Sequence, residues 1–349
     1  MDQYHAALKQ EIVRFGKLDR PNMPIQTVFF GGGTPSTYPP KLLLDISDIL
    51  RSTFNFDPNC EMTIEVNPGT VTEEKLQIWK QVGITRLSIG VQSLDDTVLH
   101  ALGRRQSARD VFELLDKAQH FFENISVDLI IGLPGVSADA WKSFIKTIVT
   151  LPIKHISSYF LTVHEDTPLY FGVKTNKIVL PPDDSVVDLY QWTVEELAYH
   201  GFYQYEVSSF ARERFQCKHN SVYWQRKPYK GFGMGACSFD GKSRFQNTKN
   251  LGQYLTLNET GESLTVFNET LTDAQAHLEM IMLGLRQSKG IALEQLLDGL
   301  LAPQQQKLQA EIAQLCAIGY IEQKDTHIRL TGKGLAVEHE LIVKLSLVK

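Results

Sequence analysis

The sequence predicts an α/β protein of parallel strands, a barrel or an open doubly wound sheet, with a ligand site at the carboxyl ends of the strands and a smaller C-terminal module. Three observations predict it. Short β-rich runs alternate with helical stretches through the first half of the chain, which implies parallel strands joined by right-handed crossovers. The residues just after each β-rich run are unusually polar or Gly-rich, and that rim is where parallel α/β proteins bind ligands. Beyond residue 270 the pattern changes to helices followed by a hairpin.

The elements follow in order. Tyr4, Ala7, Leu8, Ile12 and Phe15 recur at helical spacing, so the chain opens on an amphipathic helix with no strand before it. Strands are predicted over 25–30, 62–66, 86–91, 126–131 and 153–161, with helices between them over 41–53, 72–81, 108–122 and 139–149. Runs such as Val28-Phe29-Phe30 and Ile130-Ile131 suit strands covered on both faces. A helix over 186–200 and a strand over 202–207 come next, then an aromatic, Gly-rich stretch over 210–245 with no clear period. The polar segment 258–268 reads as a linker. Helices over 271–285, 293–297 and 304–317 and a hairpin of 319–322 with 327–331 then describe a winged-helix-like module.

A chain of 349 residues exceeds a single core, so more than one domain is expected. With 43% hydrophobic and 21% charged residues neither disorder nor a fibrous repeat is indicated. Net charge is −5 with no basic block, and residues 270–349 hold eight Lys or Arg against nine Asp or Glu. DNA affinity comes mainly from neutralising phosphates, so the winged module is expected to pack or to cover a substrate, and nucleic acid is not an expected partner. No segment is apolar for the roughly 18 residues a membrane span needs, and the N-terminus has no basic region or apolar run, which leads to a cytoplasmic expectation. Cys60, Cys217, Cys237 and Cys316 lie far apart, with neither a metal-clip spacing nor a disulfide framework.

The strand ends carry the chemistry. After the first comes Gly31-Gly32-Gly33-Thr34-Pro35, where missing side chains let backbone N–H groups approach a carboxylate, amine or phosphate; a flexible turn is the plain alternative. The second gives Glu65-Val66-Asn67-Pro68, a carboxylate able to accept from hydroxyls or pair with an amino group. The third ends Gly90-Val91-Gln92-Ser93, placing an amide at the same rim, and Arg104 follows with a guanidinium able to clamp a carboxylate in a two-pronged way. Asp128 stands inside the apolar run Val127-Asp128-Leu129-Ile130-Ile131, where burial is costly without a partner such as a hydroxyl pair or a cation. The fifth strand ends in Leu161-Thr162-Val163-His164-Glu165-Asp166-Thr167-Pro168-Leu169.

This ordered set resembles the radical S-adenosylmethionine proteins related to oxygen-independent coproporphyrinogen III oxidase, haem chaperones among them, from the first helix through the C-terminal module. The resemblance implies a partial (β/α)6 barrel over 1–205, an aromatic and Gly-rich extension over 206–262, and a small winged-helix-like HemN-type domain over 268–349. It implies S-adenosylmethionine contacts at Gly32, Gly33, Thr34, Glu65, Gln92, Arg104 and Asp128, with the glycine backbone and Thr34 at the methionyl end, Arg104 on the carboxylate and Asp128 on the ribose hydroxyls.

The family also carries a first strand and a C-x-x-x-C-x-x-C loop whose thiolates hold a [4Fe–4S] cluster. Neither is in this sequence, so no metal ligand is assigned within it and the cluster cysteines are expected upstream of Met1. The second family mark is His219-Asn220-Ser221-Val222-Tyr223-Trp224, an H-N-x-x-Y-W motif that the resemblance associates with haem. His219 suits an axial ligand through a ring nitrogen, with Tyr223 and Trp224 offering flat apolar surface; Cys217, two residues earlier, is a weaker candidate thiolate ligand, and a packing histidine is the plain alternative. The implied function is a haem chaperone that passes haem to a membrane or respiratory acceptor protein. Coproporphyrinogen oxidase and a cluster-free S-adenosylmethionine-binding remnant are the alternatives, and no catalytic residue is assigned.

Overall fold

The computed structural model describes residues 1–18, 23–335 and 337–346. Thirteen strands among them are β1 (Ile25–Phe30), β2 (Phe56–Val66), β3 (Arg86–Gln92), β4 (Asn124–Ile131), β5 (His155–Phe160), β6 (Tyr203–Glu206), β7 (Ser209–Ala211), β8 (Cys237–Phe239), β9 (Ser243–Asn247), β10 (Thr265–Thr270), β11 (Ile291–Ala292), β12 (Ile321–Lys324) and β13 (His327–Leu330). The main sheet runs β1-β2-β3-β4-β5-β7-β6, with β2 to β5 parallel, and it forms a curled half-barrel. The predicted parallel strands therefore form. The sheet is not wholly parallel, because β7 pairs antiparallel with both β5 and β6 at one edge.

Three crossover helices start on a side-chain cap. Thr72, Ser107 and Ser137 cap the helices Glu73–Val82, Ala108–Ala118 and Ala138–Ile148 by accepting a backbone N–H three residues on, which satisfies one of the orphan donors of a first turn. The helices cover one face of the sheet. Ile64, Leu87, Ile89, Ile125, Val127, Leu129 and Ile156 are all inaccessible on that face, and each such side chain contributes about 1.5–3 kcal/mol of burial.

The other face differs from the expectation of strands apolar on both sides. Register places Glu65, Ser88, Ser126 and His155 in one row and Gly90, Asp128, Ser157 and Ser209 in the next. Side chains alternate along a strand, so these rows share a face, and that face is polar.

By compactness the chain divides into two units, one of Thr27–Leu44 and Asn59–Gln216, the other of Met1–Gln26, Asp45–Pro58 and Cys217–Lys349. The first holds most of the half-barrel. In the second, the opening helix Asp2–Leu18 buries Glu11. Its carboxylate accepts from Gly233 N and Tyr254 Oη at 2.8 and 2.7 Å and from Asn247 Nδ2 at 2.8 Å. Gly233 has φ +105°, and a Cβ there would lie 2.7 Å from Tyr4 Oη, so only glycine fits the loop.

The C-terminal module packs Ile281, Leu285, Leu308, Ile312, Ile321 and Ile328 into one core. The predicted hairpin forms as β12 and β13 in antiparallel register, Ile321 opposite Leu330, with β11 added on the far side of β13. The aperiodic stretch 210–245 resolves into β7, the helix Lys218–Trp224, β8 and the start of β9. The 258–268 segment is no linker: it ends the helix Leu251–Thr260 and begins β10.

Candidate functional site

A cavity of about 360 Å³ opens at the carboxyl ends of the parallel strands, lined by Glu65, Gln92, Asp128, Tyr159, Thr162 and His164 among others. Three of the sequence-derived residues thus meet in one place. Glu65, next to last on β2, accepts from Gly32 N at 3.2 Å, which ties the glycine loop to the second strand. Gly32 and Gly33 have φ of +81° and +65° with open space where a Cβ would stand, so glycine is required there by backbone conformation. Gly31 is different, since a Cβ on it would meet Phe29 Cε1 at 2.7 Å and Glu65 Cδ at 3.2 Å. Thr34 turns the chain into the single turn Pro35–Thr37, its carbonyl accepting from Thr37 N and Oγ1 at 3.0 and 2.7 Å.

The loop after β2 is held from below. Ser36 Oγ accepts from Asn67 N at 3.1 Å, and Lys75 Nζ donates to the carbonyls of Ser36 and Thr70 at 2.8 and 2.6 Å. Burial lowers the Lys75 pKa from its usual value.

Gln92 is buried and has φ +66°, unusual for a residue with a side chain. A bulge causes this, because the β3–β4 register slips between Gly90 and Gln92. Gln106 braces the bulge, donating from Nε2 to the Gly90 carbonyl at 2.7 Å, and an added Cβ on Gly90 would lie 3.0 Å from Gln92 Nε2. The strained turn aims the amide into the cavity.

Asp128 accepts from Ser88 Oγ at 3.1 Å and also from the Ser157 hydroxyl. Burial raises its pKa, and the Arg86 guanidinium, the Ser157 bond and the Ser88 bond oppose that rise. Burial likewise raises Glu65, against the Gly32 N–H and with the Asp128 charge adding to the rise. Two desolvated carboxylates thus face one small space, a set suited to paired hydroxyls and a cationic ammonium or sulfonium group.

Arg104 is not among the cavity-lining residues; it follows the helix Asp96–Ala101, with its backbone N donating to the Leu99 carbonyl at 2.9 Å. Tyr159, Thr162 and His164 line the cavity but were not singled out by sequence. Period-two alternation from Ser157 along the fifth strand is the sequence signal that points to Tyr159. Burial pushes the Tyr159 phenol far above its usual pKa, so it stays a neutral donor.

The H-N-x-x-Y-W motif lies on the helix Lys218–Trp224. His219 Nε2 and Tyr223 Oη are 2.8 Å apart, and the Tyr223 ring meets Tyr229 edge-on at 4.7 Å. Tyr223 is 40% exposed, and its pKa is pushed up to about 12 by burial first and then by Tyr229, Cys217 and Cys237. An imidazole in a fixed orientation beside an accessible ring fits a porphyrin face and its iron.

Cys217 does not fit a haem ligand. It is fully buried and caps the same helix, its sulfur accepting from Asn220 N at 3.4 Å. Cys237 is exposed near Tyr223 and Tyr229. Cys60 lies on β2, which begins at Phe56, ahead of the predicted start. Among the described residues no three His, Cys, Asp or Glu side chains group as a metal site, so these thiols do not suit an iron–sulfur cluster. No helix there is long and apolar enough to cross a membrane.

Comparison with known proteins returns matches along the whole chain. The profile of the Radical SAM superfamily matches residues 3–148, and that of the HemN C-terminal domain matches residues 271–337. The heme chaperone HemW of Bacillus subtilis is 32% identical over 352 residues, 98% of this chain and 90% of that protein. The heme chaperone HemW of Synechocystis is 37% identical over 280 residues, 78% of this chain and 67% of that one. Among solved structures, the Escherichia coli coproporphyrinogen III oxidase HemN, a radical SAM enzyme, superposes with a TM-score of 0.81 at 25% identity, over 99% of this chain and 83% of that chain.

Proposed function

Because this chain belongs to the HemW family of heme chaperones within the radical SAM superfamily, we propose that it binds haem at the His219 surface and delivers it to a haem-requiring acceptor protein, with S-adenosylmethionine in the strand-end cavity. The observation that carries the haem assignment is the His219–Tyr223 pair on an accessible aromatic surface. The imidazole ligates the iron, which displaces the Tyr223 phenol from Nε2, while the tyrosine rings cover part of the macrocycle. A ligand held by one imidazole and open aromatic surface is releasable, as a carrier's cargo must be.

In the cavity, the Gly32–Gly33 backbone and Glu65 take the ammonium and carboxylate end of S-adenosylmethionine, and Asp128 takes the ribose hydroxyls. Gln92 supplies an amide to the same ligand. S-adenosylmethionine with a cluster supplies radical chemistry in the superfamily. The cysteines described here do not suit a cluster, and no radical step is assigned to these residues.

The test is transfer. Haem-loaded protein mixed with an apo-haemoprotein should pass haem on faster than an equal amount of haem bound to serum albumin does. Equal or slower transfer would reject the chaperone role.

A second reading, coproporphyrinogen oxidation, is favoured by the likeness to the E. coli oxidase. Unchanged coproporphyrinogen after incubation with the reduced, reconstituted protein and S-adenosylmethionine would remove it.

A further inference from the structure

The polar face of the sheet continues below the cavity, and a guanidinium is buried there. Arg86 is 1% exposed and shares its face of β3 with Ser88, the donor to Asp128. Its Nη2 lies 3.3 Å from His155 Nδ1, and Ser126 Oγ lies 2.7 Å from the same nitrogen. A guanidinium only donates, so Nδ1 is an acceptor and the ring proton sits on Nε2, which donates to Tyr205 Oη at 2.8 Å. That tautomer leaves His155 neutral and the positive charge with Arg86. Arg86 Nε is buried without a hydrogen-bond partner, while Nη2 holds the guanidinium against His155.

We propose that Arg86 is a positioning residue of the strand-end pocket: oriented by neutral His155, it is the buried counter-charge to Asp128, the acceptor of a ligand's paired ribose hydroxyls. The inference rests on the reading of the cavity as an S-adenosylmethionine site. A carboxylate desolvated beside a second one, Glu65, takes up a proton unless a cation opposes it, and a protonated Asp128 accepts weakly. The Arg86 charge pulls the Asp128 pKa down, against the larger rise that burial causes. Geometry brings the charge near Asp128: the Arg86 guanidinium reaches His155 in the row of Ser88 and Ser126, and Asp128 and its donor Ser157 stand in the next row of the same face.

The experiment is a double-mutant cycle read by equilibrium dialysis of S-adenosylmethionine against the full chain. R86Q keeps a donor toward His155 without the charge, R86K keeps the charge, and D128N removes the carboxylate. R86Q should weaken binding at least tenfold, R86K should stay within about threefold of wild type, and R86Q in the D128N background should cause no further loss. A purely structural role predicts instead that the two losses multiply, and that result would overturn the proposal. So would R86Q binding as tightly as wild type while D128N binds weakly, which would leave the pocket assignment standing. No saturable binding by wild type would reject the pocket assignment, and this proposal with it. Should R86Q not fold, the folded R86K decides: binding lost in R86K overturns the counter-charge role, and binding retained supports it.

Discussion

His219 Nε2 and Tyr223 Oη lie 2.8 Å apart, one helical turn from each other, so the proposed haem ligand already has an occupant at its iron-binding nitrogen. Haem must exchange one bond for another. Tyr223→Phe removes the competitor and leaves the ring surface, so haem affinity should rise by about threefold to tenfold, the worth of a net hydrogen bond. Absorbance titration of both proteins with haem checks this. Weaker binding by the Phe variant would mean that the phenol orients the ligand and that iron meets the other ring nitrogen.

Gln92 is held in the left-handed region by the bulge of β3. Asparagine tolerates that conformation and shortens the side chain by one methylene, so Gln92→Asn should change stability by less than about 0.5 kcal/mol. It should still weaken S-adenosylmethionine binding about tenfold, because the amide no longer reaches the cavity. Urea denaturation and dialysis on the same preparation separate the two effects.

His155 gives a pH signature. Its pKa is lowered well below 6.5 by burial first and by the Arg86 charge second. Below pH 6.5 the unfolded chain binds a proton at this histidine that the folded chain does not, so stability falls on acidification toward the folded pKa. Between pH 7.5 and 5.5 this one group should cost about 1.4 kcal/mol of unfolding free energy. His155→Asn should lack that part of the slope, as measured by denaturant midpoints at the two pH values.

Glu11 satisfies three donors inside its unit, from Gly233, Asn247 and Tyr254. Glu11→Ala leaves all three buried without an acceptor, and a loss of about 3 kcal/mol or more is expected from unmade bonds alone. Glu11→Gln keeps an acceptor and should lose less. Thermal unfolding of the two variants gives the comparison; equal losses would mean that volume, and not hydrogen bonding, holds the loop.

Much of this was legible from the chain. The five predicted strands mark β1 to β5, because alternation with helices is a strong signal, and Glu65, Gln92 and Asp128 meet at one cavity because strand ends converge in this architecture. The polar inner face was missed although its pattern is in the sequence: Arg86, Ser88 and Gly90 alternate with Leu87, Ile89 and Val91. Segment 210–245 was illegible. Its strands are three to five residues long, too short to show a period; β7 is set by pairing with the much earlier β5 and β9 by pairing with β10, while β8 and β9 form a short hairpin. Arg104 lies off the cavity wall because it follows the helix Asp96–Ala101 and not a strand end.

The central claim is that His219 binds haem iron, and the most direct measurement is a haem titration of wild type and His219→Ala followed at the Soret band. Wild type should give a saturable, shifted band with one haem per chain, and His219→Ala should weaken binding by tenfold or more and change the band position. A band identical in position and affinity in both proteins would contradict the assignment.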